Sequence, residues 1–272
     1  MDEATFERAQ DFIRGLFEGD SGGHDYWHSI RVHDLARRIC EAEGGDMDVV
    51  RLAALMHDAD DRKLFGPDSR NAERFMVSEG IPEDVRSRIH GIVSRISFKG
   101  ADTEVPDSLE GRIVQDADRL DAIGAIGIAR AFAYGGSRGR PMHVPGEAFR
   151  EGMSEAEYFA NRGTTVNHFH EKLLLLRDMM NTPTARAMAE HRHRYMGSFL
   201  EEFMAEWDGA RRRSPGIRRP EEPVWKAVIA GARSGSSRTS APRLSASDRA
   251  PRRGRSCPRP GGRPSPACSE VW

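Results

Sequence analysis

Val49-Val50-Arg51-Leu52-Ala53-Ala54-Leu55-Met56-His57-Asp58 runs from a nearly unbroken apolar stretch straight into a histidine and an acid. An amphipathic surface helix would carry polar residues on one face, so this stretch is expected to be a helix enclosed by others. Asp46 and Asp48 precede it as N-terminal capping and first-turn residues. After Asp58 the chain turns sharply polar, in Ala59-Asp60-Asp61-Arg62-Lys63. His57 and Asp58 therefore stand at the inner end of a core helix, where a polar pair has to have a partner.

Outward from this segment, apolar residues recur at three and four positions and few runs alternate, which predicts an all-α fold. Phe6, Phe12, Ile13, Leu16 and Phe17 define a first helix, and Ile30, Val32, Leu35, Ile39 and Cys40 a second, ended by Gly44-Gly45. Further helices are expected at about 69–79, 82–96, 108–133, 165–181 and 184–207. Residues 134–163, rich in Gly and Arg, read as a long surface excursion. Within it, Gly135-Gly136-Ser137-Arg138-Gly139-Arg140-Pro141 lacks the lysine and hydroxyl of a phosphate-cradling loop. Its expected role is a flexible connection, with Arg138 or Arg140 swinging over a substrate as the alternative.

The 272 residues carry a net charge of -1, which hides a partition. Residues 209–272 hold 15 Lys and Arg against 4 Asp and Glu, leaving 26 against 38 in residues 1–208. Pro, Gly and Ser supply 26 of those last 64 residues, too polar a mixture to offset the entropy of ordering. The expected organisation is one helical domain over 1–208 and a disordered basic tail over 209–272, with Val224 to Ala232 as its one candidate helix. The tail has no aromatic interleaving, so nucleic acid is not expected as a partner. The acidic, amphipathic start is unlike a signal peptide, and 31% charged residues leave no apolar run long enough for a membrane span. A cytoplasmic location is expected. Cys40, Cys257 and Cys268 have no paired spacing and suggest neither a disulfide framework nor a zinc knuckle.

His28 upstream and Asp118 downstream, in Gln115-Asp116-Ala117-Asp118-Arg119-Leu120-Asp121, can complete a shell of two imidazoles and two carboxylates around His57 and Asp58. Such a mixed nitrogen and oxygen set suits a divalent ion with positions left for water. The helical spacing places Asp118 and Asp121 on one side and Asp116 on the other; it does not separate Asp118 from Asp121.

In their order, His28, His57-Asp58 and Asp118 resemble the H…HD…D pattern of the HD superfamily of metal-dependent phosphohydrolases. Tyr26-Trp27-His28-Ser29-Ile30-Arg31-Val32, Asp116-Ala117-Asp118-Arg119-Leu120-Asp121-Ala122-Ile123-Gly124 and Phe132-Ala133-Tyr134-Gly135-Gly136 are similar to the small bacterial YpgQ-like subgroup. The resemblance extends from about residue 5 to 208, through Asn167-His168-Phe169 and Glu171-Lys172-Leu173-Leu174. It implies an HD-domain helical bundle, a metal bound by His28, His57, Asp58 and Asp118, and hydrolysis of a phosphorylated nucleotide. Mn2+ is the first expectation, with Ni2+, Fe2+, Zn2+ or Mg2+ as alternatives.

The subgroup implies cleavage of a nucleoside or deoxynucleoside triphosphate to pyrophosphate and a monophosphate by metal-activated water. Alternatives are a nucleoside monophosphate phosphatase, a hydrolase of a signalling nucleotide and, in another class, a non-catalytic regulatory module that binds metal and nucleotide. The resemblance also implies an acid or base three residues beyond the HD aspartate; Asp61 occupies that place and is the expected proton shuttle. Arg31, Lys63, Arg119 and Lys99 are the expected phosphate contacts. His24, His90 and Asp121 are expected to support the ligands, and His168, His170 and Lys172 to line the cavity from a later helix.

Overall fold

Residues 1–18, 25–66 and 68–209 are described by a computed structural model of the chain; of Arg62 and Lys63 only the backbone is described. The buried helix at its centre, α3 (Met47–Met56), starts where the Asp46 carboxylate accepts from Val49 N, and it buries Val49, Val50 and every residue from Leu52 to Met56. Its single charged interior residue, Arg51, leaves the core by pairing with Glu3. Around α3 pack α1 (Glu3–Leu16), α2 (Tyr26–Glu43), α6 (Glu83–Val93) and α7 (Leu109–Asp121). Burial of these apolar faces, at roughly 25 cal/mol per Å2, supplies the driving force for the assembly.

Between α3 and α6 lie a single turn, α4 (Arg62–Phe65), and α5 (Asn71–Ser78). Beyond α7 come α8 (Gly124–Ser137), the short α9 (Glu155–Ala160) and α10 (Thr165–His168), and the long closing helix α11 (Pro183–Trp207). No strand occurs among the described residues, so the all-α expectation holds. They fall within one unit, Met1–Arg212. No helix among them is long and apolar enough to cross a membrane. The expected tail, its Val224–Ala232 helix and His24 lie outside the described residues, although 209 itself is within them.

Three expectations are corrected. The helix expected over 108–133 is two helices, because Gly124 takes φ +79° and breaks the backbone between α7 and α8. A side chain is strained in that conformation. The segment 165–181 is not one regular helix: α10 continues into a π turn at Phe169–Leu173 and a 3-10 turn at Leu175–Arg177. The excursion over 134–163 is shorter and better tied than expected. α8 runs on to Ser137, α9 opens with a capping box of Ser154 and Glu157, and Met153 O accepts from Ala101 N at 2.8 Å. Gly135 is pressed against Thr165, and Arg140 donates to Asn161 O at 2.9 Å, so the glycine-rich stretch is anchored at both points.

Candidate metal centre

Four elements deliver the polar residues at the centre of the bundle. His28 sits in the first turn of α2, where its backbone N–H donates to the Asp25 cap at 2.8 Å. His57 is the C-terminal cap of α3, and Asp58 follows in the turn closed by Ala59 N donating to Met56 O. Asp118 and Asp121 come from the last turn of α7.

His28 Nε2 and His57 Nε2 approach to 3.2 Å. Asp58 Oδ2 lies 3.4 Å from the first and 3.2 Å from the second. Asp118 Oδ1 stands slightly farther out, 3.5 Å from His28 Nε2 and 3.9 Å from His57 Nε2. His28, His57 and Asp58 offer ligand atoms that all fall within 4.8 Å of one another, a spacing fit to hold one metal ion.

The other ring nitrogens explain why both Nε2 atoms face this point. His28 Nδ1 donates to Asp121 Oδ2 at 2.8 Å, and His57 Nδ1 donates to Ala54 O at 2.8 Å. With each Nδ1 committed as a donor, a neutral ring presents the lone pair of Nε2 to the shared point. Burial opposes a charge on His57, but the adjacent Asp58 and Asp118 carboxylates outweigh it and raise its pKa to about 9. A cation is electrostatically favoured there, and a divalent ion meets the same demand by displacing the proton.

Asp121 is 2% exposed and accepts from three side chains. Besides His28 it takes Arg31 Nε at 2.7 Å and Arg130 Nη1 at 2.8 Å. Burial opposes its ionisation, but these cationic donors prevail and hold the carboxyl far below the usual range. Asp116, on the opposite side of α7, instead accepts from Asn181 N and Thr182 N, both at 2.8 Å, and so fastens the start of α11.

The expected phosphate contacts fare differently. Arg31 is engaged with Asp121, and so braces that carboxylate. Arg119 is 3% exposed and donates to Met179 O, because its place on α7 turns it with Asp116 toward the 179–182 segment. It is not available to a substrate in this arrangement. Lys99 is part-exposed and 3.9 Å from Glu155. The backbone of Lys63 lies in α4, and its side chain is outside the described residues. His90 is not at the centre: it is exposed and bonds Glu73 at 2.7 Å, in a separate cleft of about 450 Å3 lined by Arg70 and Arg86. Asp61 immediately precedes α4, and its carboxylate accepts from Leu64 N at 3.3 Å.

A family model described as the HD domain matches residues 26–123, the span from α2 to the end of α7 that carries all four ligand candidates. YpgQ of Bacillus subtilis is 40% identical over 207 residues, covering 72% of this chain and 91% of that protein.

The chain belongs to the HD-domain family.

Its fold follows suit. A solved structure from Lactobacillus plantarum superposes with a TM-score of 0.71 at 38% identity, covering 77% of this chain and 99% of the other. An HD-superfamily hydrolase from Bacillus thuringiensis gives 0.59 at 38% identity over 76% and 98%. A structure of YpgQ in complex with ADP gives 0.61 at 35% identity over 75% and 95%. This HD-domain protein is accordingly a metal-dependent phosphohydrolase.

Nothing in the sequence marks Arg130 as a partner of the centre. It lies nine residues past Asp121 and beyond the Gly124 break, so no periodicity links the two. Asp60, which no sequence pattern marks either, accepts through its carboxylate from Asn71 N and Ala72 N and sets the start of α5.

Proposed function

We propose that His28, His57, Asp58 and Asp118 together hold one divalent ion, Mn2+ foremost, and that the chain hydrolyses nucleoside or deoxynucleoside triphosphates to pyrophosphate and a monophosphate. The observation that carries this reading is the convergence of two imidazole Nε2 atoms and Asp58 Oδ2 within hydrogen-bond reach of one point. A nucleotide is the favoured substrate class because the related YpgQ has been crystallised with ADP.

A divalent ion held there lowers the pKa of a water and polarises a phosphoryl oxygen. The residues of the chain do the rest. Asp121 locks His28 in the tautomer that leaves Nε2 free to coordinate, and Arg31 and Arg130 keep Asp121 ionised for that task. Asp61, whose backbone N–H donates to Asp58 O at 3.1 Å, is placed one turn from the ligands and serves as the proton carrier. Lys63 and Lys99 remain the cations assigned to the phosphates.

A screen of divalent metals against nucleotides, with separate detection of pyrophosphate and orthophosphate, tests the reading. Pyrophosphate and monophosphate in equal amounts are expected from a triphosphate with Mn2+. Orthophosphate without pyrophosphate would overturn the assigned bond.

A further inference from the structure

Beyond the metal centre, a half-buried cluster of aromatic rings holds two basic side chains that no carboxylate pairs with among the described residues. Lys172 lies in the π turn that follows α10, and π turns inside helices are frequent at functional sites. Its Nζ stands 5.1 Å from the Phe98 ring centroid and 5.9 Å from that of Tyr158. No carboxylate pairs with it among the described residues, and neither does any hydrogen-bond acceptor. His168, one helical turn earlier, has its ring 6.5 Å from Tyr158 and likewise makes no ring hydrogen bond among the described residues. The nearest acid in sequence, Glu171, is turned away: it accepts from Asn161 Nδ2 at 2.6 Å and from Arg150 N.

The loop that carries Phe98 is tied to α7, the helix of Asp118. Gln115 Nε2 donates to Arg95 O at 3.0 Å and to Glu104 O at 2.9 Å, which clamps both ends of the loop carrying Phe98. Gln115 and Asp118 are three residues apart on one helix, so their side chains are neighbours about 5–6 Å apart. The loop that presents Phe98 to Lys172 is thus fastened one turn from a metal-ligand candidate.

We propose that Lys172 and His168, set against Phe98 and Tyr158, form an anion subsite for the phosphates of the nucleotide that lie beyond the one attacked. This assignment rests on the nucleotide-hydrolase reading above. The chemistry is that of a mobile ammonium held on ring faces in place of a carboxylate: an arriving phosphate supplies the charge-assisted partner the lysine lacks. His168 is neutral at physiological pH, since burial and the cations Lys172 and Arg140 push its pKa down to about 3, and a neutral imidazole donates to a phosphate oxygen through one nitrogen. Domain residues 1–208 are acidic overall, so basic side chains that no carboxylate engages, as Lys172 and His168 are, stand out as donors open to a polyanion.

The first test is competitive acetylation of the full chain in EDTA, with inorganic tripolyphosphate as the probe and peptide mass mapping of each lysine. Tripolyphosphate is expected to slow modification of Lys172 at least tenfold; an unchanged rate at Lys172 overturns the proposal. The second test compares Lys172→Met, which keeps the stem over the two rings, with Lys172→Arg, which keeps the charge. Lys172→Met is expected to raise KM for a nucleoside triphosphate at least tenfold while leaving KM for p-nitrophenyl phosphate unaltered, and Lys172→Arg to restore most of the loss. Equal shifts for both substrates, or none, overturn it. A chain that hydrolyses no nucleotide would defeat the enzymatic reading alone, because protection of Lys172 is measured without turnover.

Discussion

Asp121 holds His28 through a 2.8 Å hydrogen bond from Nδ1, on the ring edge opposite the nitrogen that faces His57 and Asp58. The orientation of the ring is therefore set from behind. Asp121→Asn keeps the shape but lets an amide N–H point at Nδ1, which favours the tautomer with its proton on Nε2. A loss of 10–100-fold in Mn2+ affinity is expected, read by calorimetric titration alongside an unchanged helical circular dichroism spectrum. Wild-type affinity in this variant would remove Asp121 from the site.

His57→Ala combined with Asp58→Ala deletes two of the three ligand atoms that converge within 4.8 Å. Metal binding and hydrolysis are both expected to vanish, and EDTA treatment of the wild-type chain to abolish turnover until Mn2+ is restored. Undiminished hydrolysis after the double change would refute the metal assignment.

Asp116 affects stability more than chemistry. Its carboxylate, fully buried, satisfies two backbone N–H groups, the Thr182 hydroxyl and the Asn181 amide. Asp116→Ala orphans them together, at a cost of about 3 kcal/mol. For a chain of this size that is roughly a 6–12 °C fall in Tm, measured by thermal unfolding; at a low assay temperature the remaining folded protein should still turn over.

Gly127→Ala and Gly136→Ala, both in α8, should have opposite effects. A Cβ on Gly127 would meet Ala122 O at 2.2 Å, whereas one on Gly136 meets nothing within 4 Å. The first is expected to cost about 1–3 kcal/mol and the second to gain up to about 1 kcal/mol from helix propensity. Denaturant midpoints of the two variants check the contrast.

His168 gives stability a pH dependence of definite sign. Its folded pKa of about 3 lies below the ordinary value of 6.5, so the unfolded chain takes up the proton first. The contribution is present in full above pH 6.5 and is lost as pH falls toward 3, by at most about 1.4 kcal/mol per pH unit and by less because the ring is partly open to solvent. Subtracting the unfolding free energy of His168→Gln from that of the wild type across pH 4–7 should isolate this slope. Parallel curves would show that His168 titrates alike in both states.

The core helix and the ligand candidates were legible for one reason: an apolar run that stops on His57-Asp58 has few places to go, and the resemblance supplied His28 and Asp118 in the right order. Spacing on α7 also separated Asp116 from Asp118 and Asp121, as the structure bears out. What stayed hidden depends on tertiary direction. Arg119 adjoins a ligand candidate in sequence yet points 100° around the helix, into Met179 O. Arg31 looked like a phosphate contact because nothing in the sequence showed that Asp121 would reach it from another helix. His90 shared the periodicity of a core helix but emerged on its outer face.

The Asp116, Asp118 and Asp121 carboxylates and the Gln115 amide are distributed around α7 so that four separate segments are indexed by one rod. Each residue added or removed in an α-helix rotates everything after it by about 100°. A single-residue insertion between Asp116 and Asp118 would therefore leave the 95–104 loop and the start of α11 fastened while swinging Asp118 and Asp121 off the metal centre together. For this chain the length of α7 is part of the site: the helix cannot change its residue count by one without losing register between anchor and metal centre.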